Sequence, residues 1–276
     1  MNNFVKRTIT SVVYVGVMCA GLLVSPGVFG ALFLVIMSVA IQEFYNMSLG
    51  GRLVLQQKTG LLAAAVTFMI LFCVLQYGLE ARWLLLAALP VMAVLLSFLF
   101  QKDYSDLNLS AYIYTGLLYI ALPFLLDLVL VLKGGEFRGQ LLLMLFVMIW
   151  FSDAGAYIIG TAFGQKPGSR KLAPSISPKK SWWGFWGGVA SGILVAIALG
   201  INSFLPFPIV HRIAIGLIVS IGCVAGDLVE SMWKRHFGAK DSGNCIPGHG
   251  GMLDRFDSSL VAIPAAFIYM EIFSLL

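Results

Sequence analysis

Nine stretches of mostly apolar residues, at about 8–25, 28–47, 59–78, 83–101, 109–132, 140–162, 184–204, 209–233 and 258–275, dominate this chain. A helix needs roughly 20 such residues to cross the hydrocarbon core of a bilayer. Within hydrocarbon every backbone N–H and C=O must be satisfied inside the segment, so stretches of this length are expected to be helical. Composition agrees: 59% of the residues are hydrophobic and 11% charged, against about 25% charged in a soluble domain. Too few polar side chains exist to cover a water-facing surface. The expected fold is therefore all-α, a polytopic integral membrane bundle of about nine transmembrane helices. A cytosolic enzyme, a disordered tail and a disulfide-stapled secreted domain are excluded together. Cys19, Cys73, Cys223 and Cys245 are scattered without a C-x-x-C spacing and suggest neither zinc nor a disulfide framework.

The basic residues orient the bundle. Lys6-Arg7 before an apolar run resembles the start of a signal peptide, but eight further hydrophobic stretches favour an uncleaved first span. When the loops are assigned alternately to two sides, 14 of the 18 Lys and Arg fall on one side, and only Arg82, Lys133, Arg138 and Arg212 on the other. The positive-inside rule then places the N-terminus in the cytoplasm. Both long polar loops, 163–183 and 234–257, share that face. The expected organisation is a packing half, 1–138, holding helices 1–5, and a catalytic half, 139–276, holding helices 6–9 and both loops.

Acids inside the spans narrow the search, since each costs roughly 2.5–3.5 kcal/mol at a helix centre. Glu271 is expected to reach the interface, and Glu43 and Asp127 to pair with polar groups on neighbouring helices. Asp153 and Tyr157, one turn apart in a small-residue stretch, are expected to line a closely packed site. Asp227, Glu230, Ser231 and Lys234 recur on one helical stripe. Glu230 has Lys234 four residues on. Asp227 lies a turn deeper with no base nearby in sequence, a place for a bound cation.

The two loops are built for phosphates. In Ser177-Pro178-Lys179-Lys180, serine suits an N-cap and proline the first helical position, so a helix start offering amides and two lysines to an anion is expected here. The second loop mixes bases, acids and glycines, including Lys234, Arg235, Lys240, Asp241, His249, Gly250, Gly251, Asp254, Arg255 and Asp257. Asp254 and Asp257 share a face if the chain is helical there, and could hold a hard divalent ion. Oxygen ligands beside phosphates favour Mg2+ over zinc. His249, flanked by glycines, suits phosphate better than a metal. Carboxylates and fixed bases at a lipid–water boundary suit phosphoryl or nucleotidyl transfer to a lipid, chemistry that rests on positioning and charge neutralisation.

At these residues the sequence resembles the phosphatidate cytidylyltransferases, or CDP-diacylglycerol synthases. The resemblance runs through Ser231, Lys234-Arg235, Lys240-Asp241, Pro247, His249-Gly250-Gly251, Asp254-Arg255 and Asp257, and extends to Ser177-Pro178-Lys179-Lys180 and 153–160. Ser181-Trp182-Trp183-Gly184 departs from the family's usual Thr-Trp-Glu-Gly by placing Trp183 where an acid is usual. The resemblance implies that phosphatidate attacks the α-phosphate of CTP, giving CDP-diacylglycerol and pyrophosphate for phospholipid biosynthesis. It implies Asp227 and Asp254 at a Mg2+ centre, which a second cation could join. Ser231, Lys234, Arg235 and Lys240 would meet phosphates, and Lys179 and Lys180 the triphosphate. A homodimer in the cell's inner membrane, with its site facing the cytoplasm, is also implied; no nucleic-acid partner is expected. A CTP-dependent lipid-alcohol kinase would use similar parts. An ion-coupled transporter would use Asp153 and Asp227 as a cation path, but needs a repeat symmetry that the sequence does not display.

Overall fold

The computed structural model describes residues 3–101, 104–201, 204–246, 248 and 250–276, with side chains from Thr8 onward. The chain is helical almost throughout: α1 (Asn3–Leu23), α2 (Pro26–Leu49), α3 (Val54–Tyr77), α4 (Ala88–Ser97), α5 (Ser110–Gly116), α6 (Leu122–Leu132) and α7 (Gly139–Phe163) come first. A short hairpin of β1 (Lys171–Ala173) and β2 (Ser177–Ser181) follows, then α8 (Trp182–Ile201), α9 (Ile209–His236), α10 (Leu253–Phe256) and α11 (Ser259–Ile272). Among the described residues, seven helical segments are long and apolar enough to cross a bilayer. The chain is an all-α polytopic membrane protein. The first and last expected spans coincide with α1, whose apolar part is Thr8–Leu23, and with α11, which has 14 residues.

Local chemistry sets several boundaries. Ser25 caps α2 by accepting the N–H of Val28 at 3.3 Å, with Pro26 at the first helical position. The span 107–135 is not one regular helix. Its α5 and α6 are joined by a wide π turn over Leu117–Ala121, just ahead of Pro123, which cannot donate back to the preceding turn. Asp127, on α6, is buried, and its Oδ1 has no hydrogen-bond partner among the described residues.

The hairpin corrects one expectation. Ser177 and Pro178 do not begin a helix; they lie in β2, antiparallel to β1 with a bulge in the register. Pro174 occupies the second position of the connecting turn, closed by Ile176 N–H to the carbonyl of Ala173 at 3.3 Å. The helix begins four residues later than expected. Ser181 Oγ accepts the N–H of Gly184 at 3.2 Å and is the true cap of α8.

The chain forms two compact units. One comprises Met1–Gly139 together with Ala239–Arg255, the other Gln140–Gly238 together with Phe256–Leu276. In the first, α2 packs on α1, α3 and α5, and α3 on α4 and α6. In the second, α9 is flanked by α8 and α11. Glycine makes that second unit tight. A Cβ at Gly184 would stand 3.0 Å from the carbonyl oxygen of Ala156 on α7, and one at Gly226 on α9 would collide with the carbonyl of Asp257.

Candidate active site

In the second unit, α7, the hairpin, α8 and α9 enclose a groove of about 590 Å3. Its polar lining comes from Asp153, Tyr157, Thr161 and Gln165 on and just after α7, from Lys179, Lys180 and Ser181, and from Asp227 on α9. Small residues at 156, 160 and 184 let the helices converge around it. Gln165 ties the end of α7 to the hairpin: its amide donates to the carbonyl of Lys179 at 2.8 Å, and its oxygen accepts from Lys171 Nζ at 3.0 Å. Thr161 and Gln165 were not read as site residues, because a helix start rather than a strand folding back over them was expected at Ser177.

Asp227 is the groove's charged centre. Lys180 Nζ lies 2.6 Å from its Oδ2, and Ser231 Oγ donates to its Oδ1 at 3.2 Å. The base that the α9 sequence lacked comes from the hairpin. Asp153 Oδ1 accepts from Cys223 Sγ at 3.1 Å, a thiol one turn before Asp227. Asp257 lies in the turn after α10, with Ser258 N–H donating to its Oδ1 at 2.6 Å. Burial pushes the Asp257 carboxyl up to about 7; the charges of Asp227 and Asp153 add to the rise, and Ser258 N–H and Lys234 oppose it. Asp257 is thus held within reach of the charges of two further carboxylates, Asp227 and Asp153.

Glu230 is fully buried, paired with Lys234 one turn on as the spacing suggested, and is not among the groove residues. Arg235 donates through Nε to the carbonyl of Ile176 at 3.4 Å, bringing the end of α9 to the hairpin.

The remaining sequence candidates belong to the first unit. Asp254 Oδ2 accepts Ser242 N–H at 3.0 Å, Ser242 Oγ at 2.9 Å and Gly251 N–H at 2.7 Å. Gly250 has φ +83°, and a Cβ there would stand 2.7 Å from that oxygen, so both backbone and space require glycine. Lys240, Asp241 and Arg255 are exposed. His249 and Pro247 lie outside the described residues. Asp254 sits in α10, which ends at Phe256, so Asp257 falls beyond the helix and the expected shared helical face does not form.

Among the described residues no three His, Cys, Asp or Glu side chains are gathered to hold a metal ion. The donor chemistry still fits a hard cation. Asp227 and Asp257 offer oxygen only, repel each other, and Asp227 already draws an ammonium to 2.6 Å.

The model of the cytidylyltransferase family matches residues 5–273. The chain belongs to that family. It is 44% identical over 128 residues to the phosphatidate cytidylyltransferase of Bacillus subtilis (strain 168), covering 46% of each chain. To that of Haemophilus influenzae (strain ATCC 51907 / DSM 11121 / KW20 / Rd) it is 45% identical over 139 residues, covering 49% of this chain and 46% of the other. One from Staphylococcus epidermidis (strain ATCC 12228 / FDA PCI 1200) is 45% identical over 123 residues, covering 45% and 46%. The matched segments span just under half the length of these relatives.

Proposed function

We propose that this cytidylyltransferase-family chain transfers a cytidylyl group from CTP to phosphatidate. A phosphate oxygen of phosphatidate attacks the α-phosphorus of CTP, the bond from that phosphorus to the bridging oxygen breaks, and pyrophosphate leaves with the electron pair. The observation that carries the reading is the groove in which Lys179, Lys180 and Asp227 meet. A triphosphate needs fixed positive charge, and a cation bridging phosphates needs a carboxylate. The names of the relatives supply cytidine and phosphatidate.

Asp227 and Asp257 would hold Mg2+, with Asp254 a further ligand on the resemblance. When bound, the ion would neutralise charge developing on the phosphates. Lys180 holds its charge against Asp227 and would offer it to the triphosphate. Lys179 adds a second, exposed charge. Ser231 orients Asp227 through its hydroxyl, and Arg235, one turn beyond, presents a guanidinium beside the hairpin. Lys234 and Lys240 add phosphate contacts on the resemblance, and Asp241, His249, Gly250, Gly251 and Arg255 are further candidates for binding the substrates. Asp153 and Tyr157 line the side of the groove. The same reading places the protein in the inner membrane with its groove towards the cytoplasm, supported by the one-sided distribution of Lys and Arg. It also includes a homodimer, on the resemblance alone.

Purified chain supplied with CTP, phosphatidate and Mg2+ should yield CDP-diacylglycerol and one pyrophosphate per turnover. Release of CDP instead would identify a γ-phosphate transfer to lipid. Failure to consume CTP would overturn the reading.

A further inference from the structure

Glu43 interrupts the apolar run of α2, is 8% exposed, and meets a segment of chain some 200 residues later. Its Oε1 accepts Met252 N–H at 3.0 Å, and its Oε2 accepts Leu253 N–H at 2.9 Å and Ser242 Oγ at 3.2 Å. No room is left around it. A Cβ on Gly243 or Gly251 would collide with the Glu43 carboxylate. Ser242 in turn donates to Asp254 from both its N–H and its hydroxyl, and accepts Asp254 N–H at 3.3 Å. The single hydroxyl proton of Ser242 is therefore shared between the carboxylates of Glu43 and Asp254.

We infer that Glu43 is a positioning residue: by gripping Ser242, Met252 and Leu253 it fixes the orientation of the Asp254 carboxylate. This rests on the function proposed above, in which Asp254 is a metal ligand. Only a carboxylate does this well. A glutamine at 43 would turn its NH2 towards either Met252 N–H or Leu253 N–H, setting donor against donor. An aspartate is one methylene short of the loop. Partners that orient a metal ligand commonly change metal affinity by about 10–100-fold when altered.

The full chain should be purified as wild type, Glu43→Gln, Glu43→Asp and Ser242→Ala. Two measurements not requiring turnover suffice: hydrogen exchange across residues 240–255, and the Mg2+ concentration at the midpoint of thermal stabilisation. In Glu43→Gln the amides of Met252 and Leu253 should exchange at least about tenfold faster, while those of α3 stay unchanged, and the Mg2+ midpoint should rise about tenfold. Glu43→Asp should fall between it and wild type. Unchanged exchange in Glu43→Gln, or a loosened loop with an unchanged Mg2+ midpoint, overturns the proposal. A wild-type chain whose melting ignores Mg2+ also overturns it. If Glu43→Gln does not fold, Ser242→Ala decides by the same two readouts. A wild type stabilised by Mg2+ but inactive with CTP and phosphatidate sinks the proposed reaction and leaves the positioning of Asp254 standing on these measurements.

Discussion

Lys180 Nζ and Asp227 Oδ2 are 2.6 Å apart in a groove that both residues line, one contributed by a hairpin strand and the other by a long membrane helix. The pair sets the groove's electrostatics. In the proposed reaction this lysine would exchange the carboxylate for a phosphate without leaving its place.

Lys180→Met keeps the aliphatic stem and removes that charge. A charge-assisted hydrogen bond contributes about 1.5–3 kcal/mol, so the KM for CTP should rise about tenfold or more with a smaller fall in kcat. Steady-state kinetics at saturating phosphatidate checks this. An unchanged KM for CTP removes Lys180 from the triphosphate.

Asp257→Asn should separate stability from function. Asp257 is a poorly solvated carboxyl beside Asp227 and Asp153, so neutralising it relieves repulsion in the metal-free chain. Its melting temperature in chelator should rise by a few degrees, for a gain on the order of 1 kcal/mol, while turnover falls by about 100-fold or more. A lowered melting temperature, or near-normal turnover, contradicts this role.

Ser181→Ala removes the cap of α8 and should destabilise the protein by about 1 kcal/mol. Ser177→Ala, in β2, should leave the melting temperature almost unchanged. Thermal denaturation of both variants in one detergent distinguishes the two serines, and the reverse order would restore the helix start to Ser177.

Cys245 is exposed, yet its thiol is pushed up to about 11, by desolvation first and then by the charge of Glu43 and a hydrogen bond to it. A raised thiol pKa means less thiolate at neutral pH. With Cys245 as the only cysteine, alkylation by iodoacetamide should still be accelerating between about pH 9 and 10, past the ordinary thiol value. A plateau near pH 9 would show that neither desolvation nor Glu43 raises this thiol.

Much of the fold was legible because hydrocarbon is a strict solvent. The apolar stretches marked the helices, and the stripe of Asp227, Ser231 and Lys234 was visible in spacing alone. Ser177-Pro178 misled because proline suits the first turn of a helix and also an edge strand. Pro174, placed for a tight turn, was the available signal for the hairpin. The partner of Asp227 was hidden because Lys180 is distant in sequence. Glu43 was expected to meet polar groups on neighbouring helices; which groups was hidden, because two of its donors are backbone N–H groups, which every residue but proline carries and no composition reveals.

Glu43 and Leu253 bond across 210 positions. Closing so wide a separation waits on everything between, so the segment around Asp254 finds its acceptor only after α3 to α9 have been made. During synthesis, then, a nascent chain still short of Met252 has Glu43 in α2 but none of the backbone donors that engage it. A polar loop is thus shaped by a helix made some 200 residues before it.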